Sequence, residues 1–313
     1  MFFEPKYDFK DINLIPRVVS TIASRDEIDT SVVIGPYVLK VPIIASPMVD
    51  VCNSHICNEL GRLGGLGILH RFDTIEKQVK EFQKVTYPVA CAIGITGDFV
   101  SRFIALNSAG CTLFCLDTAN GANTNVQRAL EILKPTAGVN FIVGNVASKE
   151  CFEWLQQFNN IAGCRVSVGS GLACKTKHTT GVYHPTASCI ADCASVKKTP
   201  LIADGGISSP DDFCKAIALG ADCCIFGSLI AATKDSPAKR IGNIKVYRGS
   251  ASFEIQQKYR EVPRYIEGTK KLLEYTGETL EKLVNRFVDG LKSSMSYFNA
   301  RTIKEFQQNA TFN

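Results

Sequence analysis

The chain has 313 residues, room for one barrel-sized domain of about 250 residues with extensions, and it is 45% hydrophobic and 21% charged, the balance of a soluble globular protein. Its formal charge of +5 is spread out, with only short pairs such as Lys197-Lys198 and Lys270-Lys271, which argues against the clustered footprint of a nucleic-acid binder. No run approaches the roughly 20 apolar residues of a membrane span. The start, MFFEPKYDFKD, lacks the basic-then-apolar order of a signal peptide, so neither a nucleic-acid nor a membrane partner is expected.

In chain order, eight short apolar runs read as strands: 41–46 (VPIIAS), 66–69 (LGIL), 89–95 (VACAIGI), 112–117 (TLFCLD), 140–145 (NFIVGN), 164–169 (CRVSVG), 200–204 (PLIAD) and 222–227 (DCCIFG). Between them lie helix-length segments at 54–62, 75–85, 124–133, 149–158, 185–196 and 211–219. The stretch between the third and fourth runs is less periodic but long enough for a crossover. Strands buried on both faces and alternating with helices predict a single (β/α)8 barrel over residues 1–313, with an N-terminal extension and a C-terminal lid and helix. A doubly wound open sheet is the alternative, since periodicity does not close a barrel. Asp73-Thr-Ile-Glu76 reads as a capping box with Asp73 as N-cap. Ser209-Pro210-Asp211-Asp212 offers an N-cap serine, a proline at the first helical position and acids in the first turn. Beyond residue 228 a polar stretch to about Pro263 precedes a last helix over 280–295.

Thirteen cysteines form neither a disulfide framework nor a zinc ribbon, and most sit in apolar runs where a reduced thiol packs as a small hydrophobe. A reducing compartment, the cytoplasm, is expected. The pair Cys189/Cys193 with His184 nearby suits a metal by spacing, but its plainer reading is one helix face.

In a barrel, functional groups gather at the C-terminal ends of the strands. Asp204-Gly205-Gly206 after the seventh strand and Gly227-Ser228 after the eighth suit a phosphate held by backbone N–H groups, with a carboxylate beside it for ribose hydroxyls. Gly169-Ser-Gly-Leu-Ala-Cys174-Lys-Thr176-Lys places a cysteine in a polar loop with a hydroxyl two residues on. Lys175 and Lys177 are candidates for activating the thiol, which reacts as thiolate. Tyr247 to Ser252 and Arg264 to Gly268 are candidates for a lid over the strand ends.

Together these pieces resemble the IMP dehydrogenase/GMP reductase family. The resemblance runs from YDFKD and SRDEIDTS through IIASPM, GGLGILHR, LDTANG, VGNVAS, VGSGLACKT, IADGGI, FGSLIA and YRGSAS to the late Glu267-Gly268. It implies a (β/α)8 barrel in which Cys174 attacks C2 of a bound purine nucleotide, GMP or IMP, and a nicotinamide cofactor exchanges hydride there. Thr176 is then the partner hydroxyl, and Glu267 contacts the purine and shares in proton transfer. The nucleotide is held by Asn145, Asp204, Gly205, Gly206, Gly227, Ser228, Tyr247, Gly249, Ser250, Ala251, Arg264 and Gly268. The cofactor is met by Arg71, Asp117, Thr118, Ala119, Val168, Gly169 and Arg264, with Ser24 and Arg25 reaching over from a neighbouring subunit of a homotetramer. A monovalent cation, potassium (K+), is implied on the backbone carbonyls of Gly169, Gly171 and Cys174.

Within the family, YDFKD, GSAS, the Asn of LDTANG and Arg264-x-x-Glu267-Gly268 look like the GMP reductase branch, which uses NADPH. IIASPM and GGLGILHR look like the dehydrogenases. Only residues 250–266 separate Gly249 from Glu267, too few for the mobile flap a dehydrogenase needs for hydrolysis, and no accessory domain follows the second strand. IMP oxidation to XMP with NAD remains the alternative, with a catalytically inactive nucleotide-binding barrel as a third. Three departures from the family pattern bear on which purine nucleotide binds: Leu172 stands for the usual Ser, Lys175 for a small residue, and Ser250-Ala251 for Met-Gly or Met-Ser.

Overall fold

The computed structural model describes residues 4–133, 138–258 and 261–313. Two short strands, β1 (Val32–Ile34) and β2 (Tyr37–Leu39), form an antiparallel hairpin ahead of the main sheet. Eight parallel strands follow: β3 (Ile43–Ala45), β4 (Leu66–Leu69), β5 (Val89–Ile93), β6 (Leu113–Asp117), β7 (Asn140–Val146), β8 (Ile161–Val166), β9 (Leu201–Asp204) and β10 (Cys223–Phe226). The sheet closes because β10 pairs with β3, Cys224 opposite Ile43 and Phe226 opposite Ala45. That closure removes the open-sheet alternative.

The helices between the strands are α1 (Ser54–Arg62), α2 (Ile75–Gln83), α3 (Phe99–Ser108), α4 (Thr124–Ile132), α5 (Lys149–Leu155), α6 (Thr176–Thr180) and α7 (Thr186–Ala194), α8 (Pro210–Ala218), and the short α9 (Ser228–Ala231) after β10. The weakly periodic stretch between the third and fourth runs is thus the helix α3. Several ends are set by caps: Asn53 Oδ1 accepts from Ile56 N at 3.0 Å to start α1. At α2 the cap is Thr74, whose hydroxyl accepts from Lys77 N, and not the expected Asp73, which pairs with Lys77 Nζ instead. At α8 Ser209 and Pro210 stand as expected, but the Ser209 hydroxyl donates to Asp211 and does not cap a backbone amide.

The core has two shells. Inside the barrel, Ile44, Leu66, Ile68, Ala90, Leu113, Cys115, Ile142, Ile202 and Ile225 pack together, and Ile34 and Leu39 of the hairpin join them. Each aliphatic side chain removed from water there contributes about 1.5–3 kcal/mol, so the hairpin stabilises the barrel by joining its interior core. The larger shell lies between strands and helices and includes the aromatic cluster Phe213, Phe226 and Phe287.

Strand β8 starts three residues before the expected segment and ends at Val166, because Ser167 takes φ +106 and leaves the β region. The polar region after residue 228 holds structure that the sequence pattern did not announce: β11 (Arg240–Ile241), β12 (Ile244–Arg248) and β13 (Lys270–Glu274) make an antiparallel sheet, with the short α10 (Phe253–Gln256) between the last two strands. The expected last helix is α11 (Leu280–Tyr297), and a further one, α12 (Ile303–Asn309), follows. Part of the polar stretch read from the sequence, residues 259–260, lies outside the described residues.

Candidate active site

The strand ends and the segments after β12 enclose a cavity of about 1010 Å³. That is at the top of the usual range for ligand pockets, roomy enough for two ligands side by side. Every residue that the family resemblance assigns to the nucleotide, the cofactor or the cysteine relay lines it except Ser24 and Arg25, whereas Lys175 and Lys177 line a separate space beside it. Ser24 caps the 3-10 turn Arg25–Glu27, which is exposed and packs beside α11 on the outside of the barrel.

Cys174 lies in the loop between β8 and α6, half-buried. Its Sγ is 3.2 Å from Thr176 Oγ1, and that hydroxyl donates to Glu267 Oε2 at 2.6 Å. The backbone fixes this alignment. Cys174 bridges to Gly268, Lys175 N–H donates to the Glu267 carbonyl at 2.7 Å, and Thr269 N–H donates to that of Ala173. The returning strand segment is therefore stitched to the cysteine loop. The group in hydrogen-bond contact with the thiol is thus Thr176; of the two lysines expected to activate it, Lys177 places its ammonium 3.8 Å over the Tyr183 ring. Tyr183 donates to Asp8 of the N-terminal extension, which also accepts from Thr186 N–H and so anchors the chain just after α6.

Across the mouth, the loop after β9 carries Gly205 at φ +101 and Gly206 at φ +74. Those left-handed turns favour glycine, and a Cβ at Gly205 would lie 2.5 Å from Ser170 Oγ. Facing them, Gly227 opens α9. A Cβ there would stand 2.7 Å from the Tyr247 hydroxyl, so the glycine makes room for the phenol. Tyr247 is buried, which pushes its ionisation up and keeps it a neutral donor. Its strand is moored to the barrel by Arg248, whose Nε donates to Asp50 Oδ2 at 2.9 Å, Asp50 itself being 1% exposed. Two glycine loops and a phenol thus line this end of the cavity.

On the opposite wall stand Asp117, Thr118, Ala119 and Arg71, with Val168 and Gly169 beside the cysteine loop. Arg71 Nε lies 3.3 Å from Asp117 Oδ2. Burial raises the Asp117 carboxyl, but Arg165 and Arg71 outweigh it and hold it below the ordinary carboxylate value. The rim is made by Ser250, Ala251 and Arg264. Gln256 ties the rim together, accepting from Arg264 N–H at 3.1 Å and donating to the Tyr265 carbonyl at 3.4 Å.

Among the lining residues that the sequence reading did not name, Arg165 and Gln256 make hydrogen bonds that shape the site. Arg165 reaches into the mouth from β8, and the signal was there: a lone guanidinium inside an otherwise apolar run needs a buried partner. Gln256 gave no such signal.

The expected potassium site does not fit its surroundings. The Gly171 carbonyl already accepts the Cys174 N–H at 2.8 Å. The adjoining space of about 310 Å³ is lined by Lys175, Lys177, His178 and Lys271 and by no carboxylate. Ammonium groups oppose a further cation. Nor, among the described residues, is any group of three or more His, Cys, Asp or Glu arranged for a metal; Cys189 and Cys193 are buried on the inner face of α7. All thirteen cysteines are free thiols. Among the described residues no helix is long and apolar enough to cross a membrane.

Comparison with known proteins agrees with this layout. The family model described as the IMP dehydrogenase / GMP reductase domain matches residues 6–313. The chain is 30% identical to a GMP reductase of Chromobacterium violaceum over 312 positions, covering 96% of each chain. It is 32% identical to one from Streptococcus suis, covering 97% of this chain and 94% of that one. It is 29% identical to an inosine-5'-monophosphate dehydrogenase of Cryptosporidium parvum, covering 97% of this chain and 90% of that one. That last alignment runs over 367 positions, more than the chain itself contains, so this relative carries inserted segments that the chain lacks. A closed parallel barrel, a cysteine loop at its mouth and a family match over residues 6–313 make the chain a member of the IMP dehydrogenase/GMP reductase family.

Proposed function

We propose that the chain catalyses the NADPH-dependent reductive deamination of GMP to IMP and ammonia, through a covalent bond between Cys174 and C2 of the purine. The observation that carries this reading is the relay Cys174–Thr176–Glu267 at the centre of a two-ligand cavity.

In this reading the phosphate sits against Gly206, Gly227, Ser228 and the Tyr247 phenol, with Gly205, Gly249, Ser250, Ala251 and Gly268 closing around the nucleotide. Asp204, steadied by Asn145, takes the ribose. The thiol proton passes through Thr176 to Glu267 as sulfur bonds to C2 and the C2–N3 electron pair moves onto the ring. The exocyclic amine then takes a proton from Glu267 through Thr176 and leaves as ammonia, because an amine is a poor leaving group unless protonated. A C2=N double bond re-forms and a thioimidate remains. When bound, the reduced nicotinamide supplies hydride to C2. The pair displaced onto N3 then re-forms the C2=N3 bond as the C2–S bond breaks, sulfur keeping its own pair; IMP is released and the thiolate takes up a proton from solvent. Asp117, Thr118, Ala119, Val168 and Gly169 would hold the cofactor, and the positive charge of Arg71 and Arg264 favours a 2′-phosphate. The thirteen free thiols suit the reducing cytoplasm. The position of Ser24 and Arg25 outside their own cavity suits contribution to a neighbour's site in a homotetramer.

Support for the reductase branch comes from length. The chain aligns with a GMP reductase over 312 positions that cover 96% of each chain, and the segment 250–266 has no room for a hydrolytic flap. The test is spectrophotometric. Loss of NADPH absorbance is expected with GMP and not without it, with one ammonia per cofactor oxidised. NADH appearing from NAD and IMP would favour the dehydrogenase instead. No reaction in either direction would refute the assignment.

A further inference from the structure

Arg165 lies at the centre of the barrel mouth with its side chain 8% exposed. Its Nε and Nη2 both donate to Asp204 Oδ2, at 2.9 and 2.7 Å, and its Nη1 donates to Asp117 Oδ1 at 3.0 Å. Asn145 Nδ2 adds a third bond to the same Asp204 oxygen at 2.8 Å. Arg71 completes the line from the far side of Asp117. A continuous chain of charge-assisted hydrogen bonds thus runs from the Asp117-Thr118-Ala119 wall to the loop after β9. The neighbouring strand leaves room for the base of this side chain: a Cβ at Gly144 would fall 2.5 Å from Arg165 Cβ. Two half-buried carboxylates facing each other would repel, and the planar fork between them both neutralises and orients them. With three donors on Oδ2, Asp204 is left with Oδ1 for a ligand, since among the described residues that oxygen accepts no hydrogen bond.

We propose that Arg165 is a positioning residue that couples the two halves of the cavity, setting the orientation in which Asp204 meets the nucleotide according to the state of Asp117. The inference rests on the reading in which Asp204 holds the nucleotide's ribose and Asp117 faces the second ligand. A guanidinium shared by two carboxylates moves with either one. Whatever engages Asp117 therefore alters the grip of Asp204, and the reverse holds by linkage.

The experiment is calorimetric titration of GMP, with no nicotinamide present, into the wild-type chain, Asp117→Asn, Arg165→Met and the double variant. Asp117→Asn is expected to weaken GMP at least about threefold, the scale of coupling between residues in one network. In the Arg165→Met background the same change is expected to leave GMP affinity where it was. Arg165→Lys, which keeps the charge and loses the fork, falls between wild type and Arg165→Met. If Asp117→Asn binds GMP as tightly as wild type, or weakens it equally with and without Arg165, the coupling is refuted and Arg165 is only a local prop. Should Arg165→Met fail to fold, Arg165→Lys takes its place in the cycle: Asp117→Asn is expected to weaken GMP less in the Arg165→Lys background than in the wild type, and an equal loss in both refutes the coupling. A wild-type chain that binds no purine nucleotide overturns the assigned function and the inference with it, a result plainly different from loss of coupling.

Discussion

The hydroxyl of Thr176 donates to Glu267 at 2.6 Å although 91 residues separate them in sequence. The contact exists because the segment after β12 returns to the cysteine loop and pairs with it through Cys174 and Gly268. A proton can therefore travel between the thiol and a carboxylate, and the proposed reaction uses this path in both directions, first to take the thiol's proton and then to return it to the departing amine.

Removing the middle of that relay is the sharpest single change. Thr176→Val keeps the shape and loses the hydroxyl. It is expected to lower kcat for GMP by roughly 100-fold or more, within the range for a positioned proton-transfer group, with a small change in KM. Steady-state kinetics at saturating NADPH checks this. Activity within about threefold of wild type would remove the hydroxyl from the mechanism.

Gly227 and Tyr247 make a paired prediction. Gly227→Ala drives a methyl group into the Tyr247 hydroxyl and is expected to destabilise the fold by about 1–3 kcal/mol, the usual cost of overpacking. Gly227→Ala/Tyr247→Phe is expected to recover stability in denaturant melts while GMP binding stays weak. Tyr247→Phe alone is expected to raise the KM for GMP about tenfold, the value of one hydrogen bond to a charged group. Since burial pushes the phenol's ionisation above its ordinary value, GMP binding should show no alkaline loss from this group through pH 10.

The eight barrel strands were legible because each is a short apolar run, as a strand buried on both faces must be, and most are closed by Gly, Asp, Asn or Ser. The same punctuation exposed the site, since the closing residues are the strand ends. Other features left no such mark. The β12 and β13 segments, IKVYR and KKLLE, mix charge with apolar side chains and read as polar loop until Lys245 and Tyr247 are seen turned inward. The hairpin did carry a signal, Gly35-Pro36 between two β-branched or aromatic runs, but strands of three residues are too short for periodicity. The end of β8 depends on a backbone angle at Ser167 that its side chain does not announce.

The mooring of β12 predicts a thermodynamic asymmetry. Arg248→Met strands the buried Asp50 carboxylate and is expected to cost roughly 3 kcal/mol, as breaking one partner of a buried pair does. Replacing both, Asp50→Leu with Arg248→Met, is expected to cost less than the single change. Chemical denaturation of the variants checks the order, and equal losses would mean that the ion pair is not what holds the strand.

Acid sensitivity follows from Asp117, whose carboxyl is held below its ordinary value of 3.8. A depressed carboxyl adds stability that is full above the ordinary value and is lost as pH falls through the folded one. Asp117→Asn is therefore expected to flatten the fall in melting temperature below about pH 4. An unchanged acid slope would show that Arg165 gains nothing from the charge of Asp117.

The most direct measurement is intact-protein and peptide mass spectrometry of the chain quenched with acid during turnover of GMP. The expected product is a nucleotide adduct, GMP less ammonia, on the peptide carrying Cys174, absent from Cys174→Ala together with NADPH oxidation. Turnover that persists in Cys174→Ala, or an adduct found on another residue, would contradict covalent catalysis at this thiol.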